Sequence, residues 1–259
     1  MIQETIDSIA THVTDARFGT YRANCNNDPR KALELYRWNI EMSGALQEAL
    51  GIAEVFLRNA IDAQLRIWNA SQPPRTDPRD KSVTIYSEEW VRAPAGPLWA
   101  ILNPWARGRK YRHSTYVDAK QRAENDRRAR PPGHRRHGVP VDHDDVVAHI
   151  TFGTWNKILP AKDTRDPSGI GPQAQRQLWF GGVEKAFPHH SDPLVVKYWV
   201  DRLHSLRNRV AHLEPLCDTD VMSYHRTVAR LLRAIDPSLA EWYSGISRVP
   251  EVWSRRPAP

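Results

Sequence analysis

From Pro29 to Trp68 the sequence keeps helical time without interruption. Leu46, Leu50, Ala53, Leu57, Ile61 and Leu65 recur at three- and four-residue spacing, the rhythm of one buried helix face. Asp28 is placed to cap this helix and Pro29 to open it. A helix of such length predicts a break, and Ser43-Gly44 is the weak point. No strand alternation of useful length, no hairpin dipeptide and no internal repeat competes with it. A chain built around this element cannot be a β-sandwich or a barrel.

Further helical patterns follow. One covers 193–213, with Asp192 as cap and Pro193 at its first turn; another covers 218–235, capped by Asp218 and stopped by Pro237. Shorter helices are expected near Asp142, carrying Val146, Val147 and Ile150, and over 173–186. Residues 237–259 read as an extended tail that lays Trp242 and Trp253 on the bundle or on a second subunit. Together these predict an all-α helical bundle, one domain over 1–259. Its parts are a long helix at 28–70, a helical pair at 193–235 and a basic, proline-bounded insertion at 106–137.

Composition narrows the class. A chain of 259 residues can bury a real core. No uncharged apolar run approaches the roughly 18 residues of a membrane span. The first residues carry acids and no basic region before an apolar block, so no secretory signal is expected. Two cysteines, Cys25 and Cys217, exclude a disulfide framework and a four-cysteine zinc site. A cytoplasmic protein free of the membrane is the expectation.

The net charge of +7 is local. Residues 106–137 hold eleven cations (Arg107, Arg109, Lys110, Arg112, Lys120, Arg122, Arg127, Arg128, Arg130, Arg135 and Arg136) against three acids, which makes +8. The remaining 26 basic and 27 acidic residues leave the rest at −1. Tyr111, Tyr116 and three histidines are interleaved with the cations, a pattern suited to phosphate contact and base stacking. The competing reading is a solvated charged loop. His134, His137 and the run Asp142 to Asp145, with His143 inside it, raise a metal reading. The aspartates read more simply as the acidic first turn of a helix, so no metal and no other cofactor is expected.

The chemistry-bearing motif is Arg207-Asn208-Arg209-Val210-Ala211-His212. At about 100° per residue, Trp199, Leu203, Leu206, Val210 and Leu213 fall on one face. Asp201, His204, Asn208 and His212 fall on the other, with Arg207 on a flank. His212 is thus not a core histidine. Histidine moves protons near neutral pH, and arginine holds a phosphate and its developing charge. The plain alternative is a solvated helix end where cations are favoured by the dipole.

The hexapeptide resembles the catalytic motif of the HEPN superfamily: arginine, a polar residue, then histidine. Three blocks extend the likeness: Ala45 to Asp62 with its Glu54-x-x-x-Arg58-Asn59, His149 to Pro160 with Phe152-Gly153-x-Trp155, and Leu203 to Leu216. In that order they are similar to the Abi-like abortive-infection family, of the AbiD/AbiF type, over residues 30–235. The resemblance implies an all-α HEPN bundle in phage defence that cleaves RNA without a metal. His212 would be the general acid and base, Arg207 the phosphate ligand and Asn208 the group that orients the ring. Glu54, Arg58, Asn59 and His204 would support them. One motif per chain implies a homodimer with the site at the two-fold, and some relatives associate with a structured non-coding RNA. The rival expectation is a non-catalytic RNA-binding scaffold, with the motif as a helix or dimer contact. Phe152-Gly153-Thr154-Trp155 reads as packing.

Overall fold

The computed structural model describes residues 3–104, 114–161, 170–190 and 192–258. The architecture is all-α, with one small exception: an antiparallel ladder of β1 (Arg75–Thr76) with β2 (Val83–Thr84). No helix among the described residues is long and apolar enough to cross a membrane. The sequence suggests one domain; by internal contacts the chain forms two compact units. The first comprises 1–53, 202–233 and 237–259; the second comprises 54–201 and 234–236.

The first unit contains α1 (Gln3–Val13), α2 (Asp15–Ala23) and the start of α3 (Pro29–Ala70). It also holds the end of α9 (Pro193–Ala211), α10 (Val221–Ile235) except its last residues, α11 (Pro237–Ile246) and α12 (Val249–Ser254). The Asp28 carboxylate caps α3, accepting from Arg30 N at 2.8 Å. The expected break at Ser43-Gly44 does not occur: α3 runs through it. Met42, Ala45, Leu46 and Ala49 are all buried around that point. Their burial outweighs a glycine penalty of about 1 kcal/mol.

Two more boundaries differ from expectation. The cap of α10 is Asp220, which accepts from Ser223 N at 2.9 Å, and not Asp218. The tail is helical, because Pro237 and Pro250 sit in first turns, where a proline costs no hydrogen bond. Trp253 of that tail packs on Trp38, with ring centroids 5.9 Å apart. The Trp38 indole donates to Val252 O at 2.9 Å.

The second unit contains the rest of α3, the ladder, and α4 (Gly96–Leu102), α5 (Thr115–Ala129), α6 (His143–Ala148), α7 (Phe152–Ile158) and α8 (Ile170–Gly181). A 3₁₀ turn at Val183–Ala186 and the start of α9 complete it. Trp90, Trp155 and Trp179 are fully buried here, each worth roughly 5 kcal/mol of area removed from water. Phe152 and Trp155 are core side chains of α7, as the packing reading requires. Gly181 has a steric purpose. A Cβ there would lie 2.7 Å from the Trp68 indole nitrogen. Buried Asn69 holds the loop before α4, donating to Ser87 O at 2.7 Å and accepting from Ala95 N at 2.8 Å.

Candidate functional site

Helix α9 starts where Asp192 accepts from Leu194 N at 2.9 Å. Leu203, Leu206 and Val210 turn into the core, while Arg207, Asn208 and His212 are exposed. The helix ends at Ala211, two residues earlier than its apolar spacing suggests. His212 caps it, and a Schellman turn follows: Glu214 N donates to Arg209 O and Leu213 N to Val210 O, both at 3.0 Å. Leu213 therefore sits at φ +49° and is 39% exposed, not in the core stripe. A turn that favours glycine is here made by leucine.

Three side chains fix the backbone around the motif. Arg17 donates to His212 O at 2.9 Å. Arg209 donates to Pro215 O at 2.9 Å and to Thr219 Oγ1 at 3.1 Å. Fully buried Asn39 accepts from Leu216 N at 2.7 Å. So the main chain carrying His212 is held while its imidazole faces water. No hydrogen bond joins the Asn208 amide to that ring among the described residues. His204 is half-buried. Asp201, in the second unit, is bound by Lys197 Nζ at 2.5 Å and Asn156 Nδ2 at 2.8 Å.

Of the supporting residues expected in the second unit, Arg58 donates to Ala148 O at 3.2 Å, at the C-terminal end of α6. Asn59 is exposed and Glu54 half-buried.

The basic segment divides into three groups. Arg107, Arg109, Lys110 and Arg112 lie outside the described residues. Arg122, Arg127, Arg130 and Arg136 are engaged internally. Arg122 donates to His149 O at 2.9 Å and Arg127 pairs with Glu124 at 2.9 Å. Arg130 and Arg136 converge on buried Asp145, at 3.1 and 2.8 Å. Arg130 also holds Asp126 at 2.9 Å, and Arg136 holds Asp142 at 2.7 Å. The third group, Lys120, Arg128 and Arg135, is exposed and makes no ion pair among the described residues. The described part is α5, capped by Ser114, followed by an exposed loop over 131–140 in which His137 Nδ1 meets Arg130 O at 2.9 Å.

Sequence reasoning missed a buried network in the second unit. Asp62, one turn after Arg58 on α3, is only 8% exposed. Its Oδ1 accepts from the Trp90 indole at 2.7 Å and faces His143 Nε2 at 3.0 Å; its Oδ2 accepts from Arg66 at 2.7 Å. Burial alone would push the Asp62 carboxyl up. Hydrogen bonds from His143, Arg66 and Trp90 outweigh that and hold it below its ordinary value. His143 is 6% exposed, edge-on to Trp90, and its Nδ1 has no partner among the described residues. The acidic first-turn reading holds: Asp144 and Asp145 lie in the first turn of α6, and Asp142 and Asp145 form a reciprocal capping box at its start. The Asp62–Arg66 spacing of four was the one legible signal.

Asp62, His143 and Asp144 bring possible ligand atoms within 4.8 Å of one another. Arg66 lies among them and donates to both aspartates. A bound cation would have to displace that guanidinium, so the group reads as a structural hydrogen-bonded network. No family model, no curated protein and no solved structure matches the chain. The likeness to the Abi-like proteins therefore rests on the three sequence blocks alone.

Proposed function

We propose that this chain is a HEPN-type, Abi-like RNA-binding protein acting in the cytoplasm in phage defence, and that it cleaves RNA without a metal. One observation carries the reading. Arg207, Asn208 and His212 are each exposed near the end of α9, on a backbone held by Arg17, Arg209 and Asn39. Exposed side chains on a fixed main chain are what a reacting group needs.

In this reading two chains meet with their motifs facing. One His212 takes the proton of an RNA 2′-hydroxyl, whose oxygen attacks the neighbouring phosphorus. The bond to the 5′-oxygen breaks, and the second His212 returns a proton to that leaving oxygen. A cyclic phosphate and a 5′-hydroxyl result. Arg207 holds the phosphate as its charge grows, and Asn208 takes up its bond to the ring only once the two chains meet. Lys120, Arg128 and Arg135, with Arg107, Arg109, Lys110 and Arg112, contact the RNA backbone, and a structured non-coding RNA is the expected partner.

The rival, a non-catalytic RNA scaffold, is favoured by one fact: the Asn208 amide and the His212 ring are not bonded to each other, which leaves both to reach across a dimer contact. One assay separates the two. Wild type, His212→Ala and Arg207→Ala are compared for RNA cleavage in the presence of a chelator and for growth arrest on infection. Loss in both variants, with unchanged circular dichroism, supports the nuclease. Wild type that binds RNA and never cuts it supports the scaffold.

A further inference from the structure

The second unit has an apolar groove that the motif does not use. Its cavity of about 700 Å³ lies between α8 and the start of α9, floored by Pro160 and Ala161 after α7. Phe180 and Leu194 line it and are 68% and 46% exposed, so two large apolar side chains face water. The floor is fastened to α8: Gln175 accepts from Ala161 N at 3.2 Å and donates to Lys157 O at 2.8 Å. Arg176, one turn before Phe180, is the only charge in the described lining. It is exposed and makes no ion pair among the described residues. An apolar slot with one unanswered cation suits an apolar partner that carries an acid.

The first unit presents a surface of the complementary kind. On α11, Trp242 and Ile246 stand one turn apart and are 49% and 47% exposed. Glu241, next to Trp242, is exposed and makes no ion pair among the described residues. Ile40 on α3 is as exposed as Ile246, but Glu41 beside it is already held by Arg37 at 3.3 Å. The α11 ridge joins an aromatic, an aliphatic and an uncompensated acid. It matches the groove in polarity and in sign of charge.

We infer that α11 of one copy of this chain docks into the α8–α9 groove of a second copy. Trp242 and Ile246 of the ridge cover Phe180 and Leu194 of the groove, and Glu241 meets Arg176. The two surfaces differ, so the contact runs head to tail, and each copy offers one groove and one ridge. It is separate from the two-fold at which the motifs would face each other. Arg176, Phe180 and α11 lie outside the blocks that carry the family resemblance, and the inference does not rest on the ribonuclease reading.

The test is sedimentation velocity of the full chain over a wide concentration range, before and after nuclease treatment. Wild type is expected to gain mass with concentration in both. Phe180→Ser blunts the groove and Ile246→Ser the ridge, and each is expected to weaken association at least about tenfold. Mixed in equal amounts, the two variants regain association, because one keeps its ridge and the other its groove. Arg176→Glu and Glu241→Arg each weaken association, and the double reversal restores it. All four positions face solvent, and thermal melts establish folding. Should a serine variant melt early, the charge reversals decide in its place. Wild type whose mass is indifferent to concentration overturns the inference. So does association that nuclease abolishes, since nucleic acid is then the bridge. Association that survives both serine changes overturns it too, as does a mixture or a double reversal that restores nothing. No cleavage enters these readouts, so they fail or succeed apart from the nuclease assay.

Discussion

His212 and His143 are both helix-end histidines, and the molecule treats them in opposite ways. His212 shows its ring to water on a main chain pinned from three sides. His143 is buried against Trp90 and tied to an ionised aspartate 81 residues earlier in the chain. The first environment is set by local helix geometry and the second by a long-range fold. One ring is open to solvent; the other is tied into the fold.

The contrast is most strongly broken at Asp62. Asp62→Ala leaves His143, Arg66 and Trp90 without their shared acceptor. Removing one partner of a buried charged network costs about 3 kcal/mol or more, read as a lowered denaturant midpoint. His212→Ala is expected to change stability by less than about 0.5 kcal/mol, since no hydrogen bond or ion pair is made by its ring among the described residues. Equal losses in the two variants would erase the distinction.

Acid provides a second probe. His225 in the first unit is held below its ordinary value of 6.5 by burial, and next by Arg226. The folded form therefore binds this proton less readily than the unfolded one. The stability that follows is present above 6.5 and is lost as pH falls through the folded value. Asp62, held below 3.8 despite its burial, follows the same sign lower down: its contribution is present above 3.8 and lost as pH falls further. Unfolding followed from pH 7 to 3 should show the His225 component first. His225→Gln should abolish it and leave the Asp62 component in place.

The smallest effect is expected beside the motif. Leu213→Gly removes a side chain from a left-handed position and is predicted to raise stability by about 1 kcal/mol, seen as a higher melting temperature. The relaxed turn is expected to leave the His212 ring exposed as before, so the variant tests the turn alone.

How much could be read from sequence follows the same division. The caps at Asp28 and Asp192, each followed by proline, and the exposure of Arg207, Asn208 and His212 are local matters and were legible. The pairings Arg127–Glu124 and Arg130–Asp126 sit at helical spacing and were available to the same reasoning. The burial of Asp62 was not, because its partners Trp90 and His143 lie 28 and 81 residues away. Nor was the continuity of α3 across Ser43-Gly44, which depends on what packs around Met42 and Leu46. The helical tail failed for a different reason: its prolines were read as breakers when they open helices.

The meeting of Arg130 and Arg136 on Asp145 has a further consequence. The chain between them, Pro-Pro-Gly-His-Arg, would otherwise wander through many shapes. Clasped at both ends by one carboxylate, it has paid its loop entropy in advance. Arg135 then rides on a rigid spur, and a partner that meets it need not spend binding energy to arrest it. Cutting the clasp with Asp145→Asn would turn a fixed contact into a tethered, wandering one.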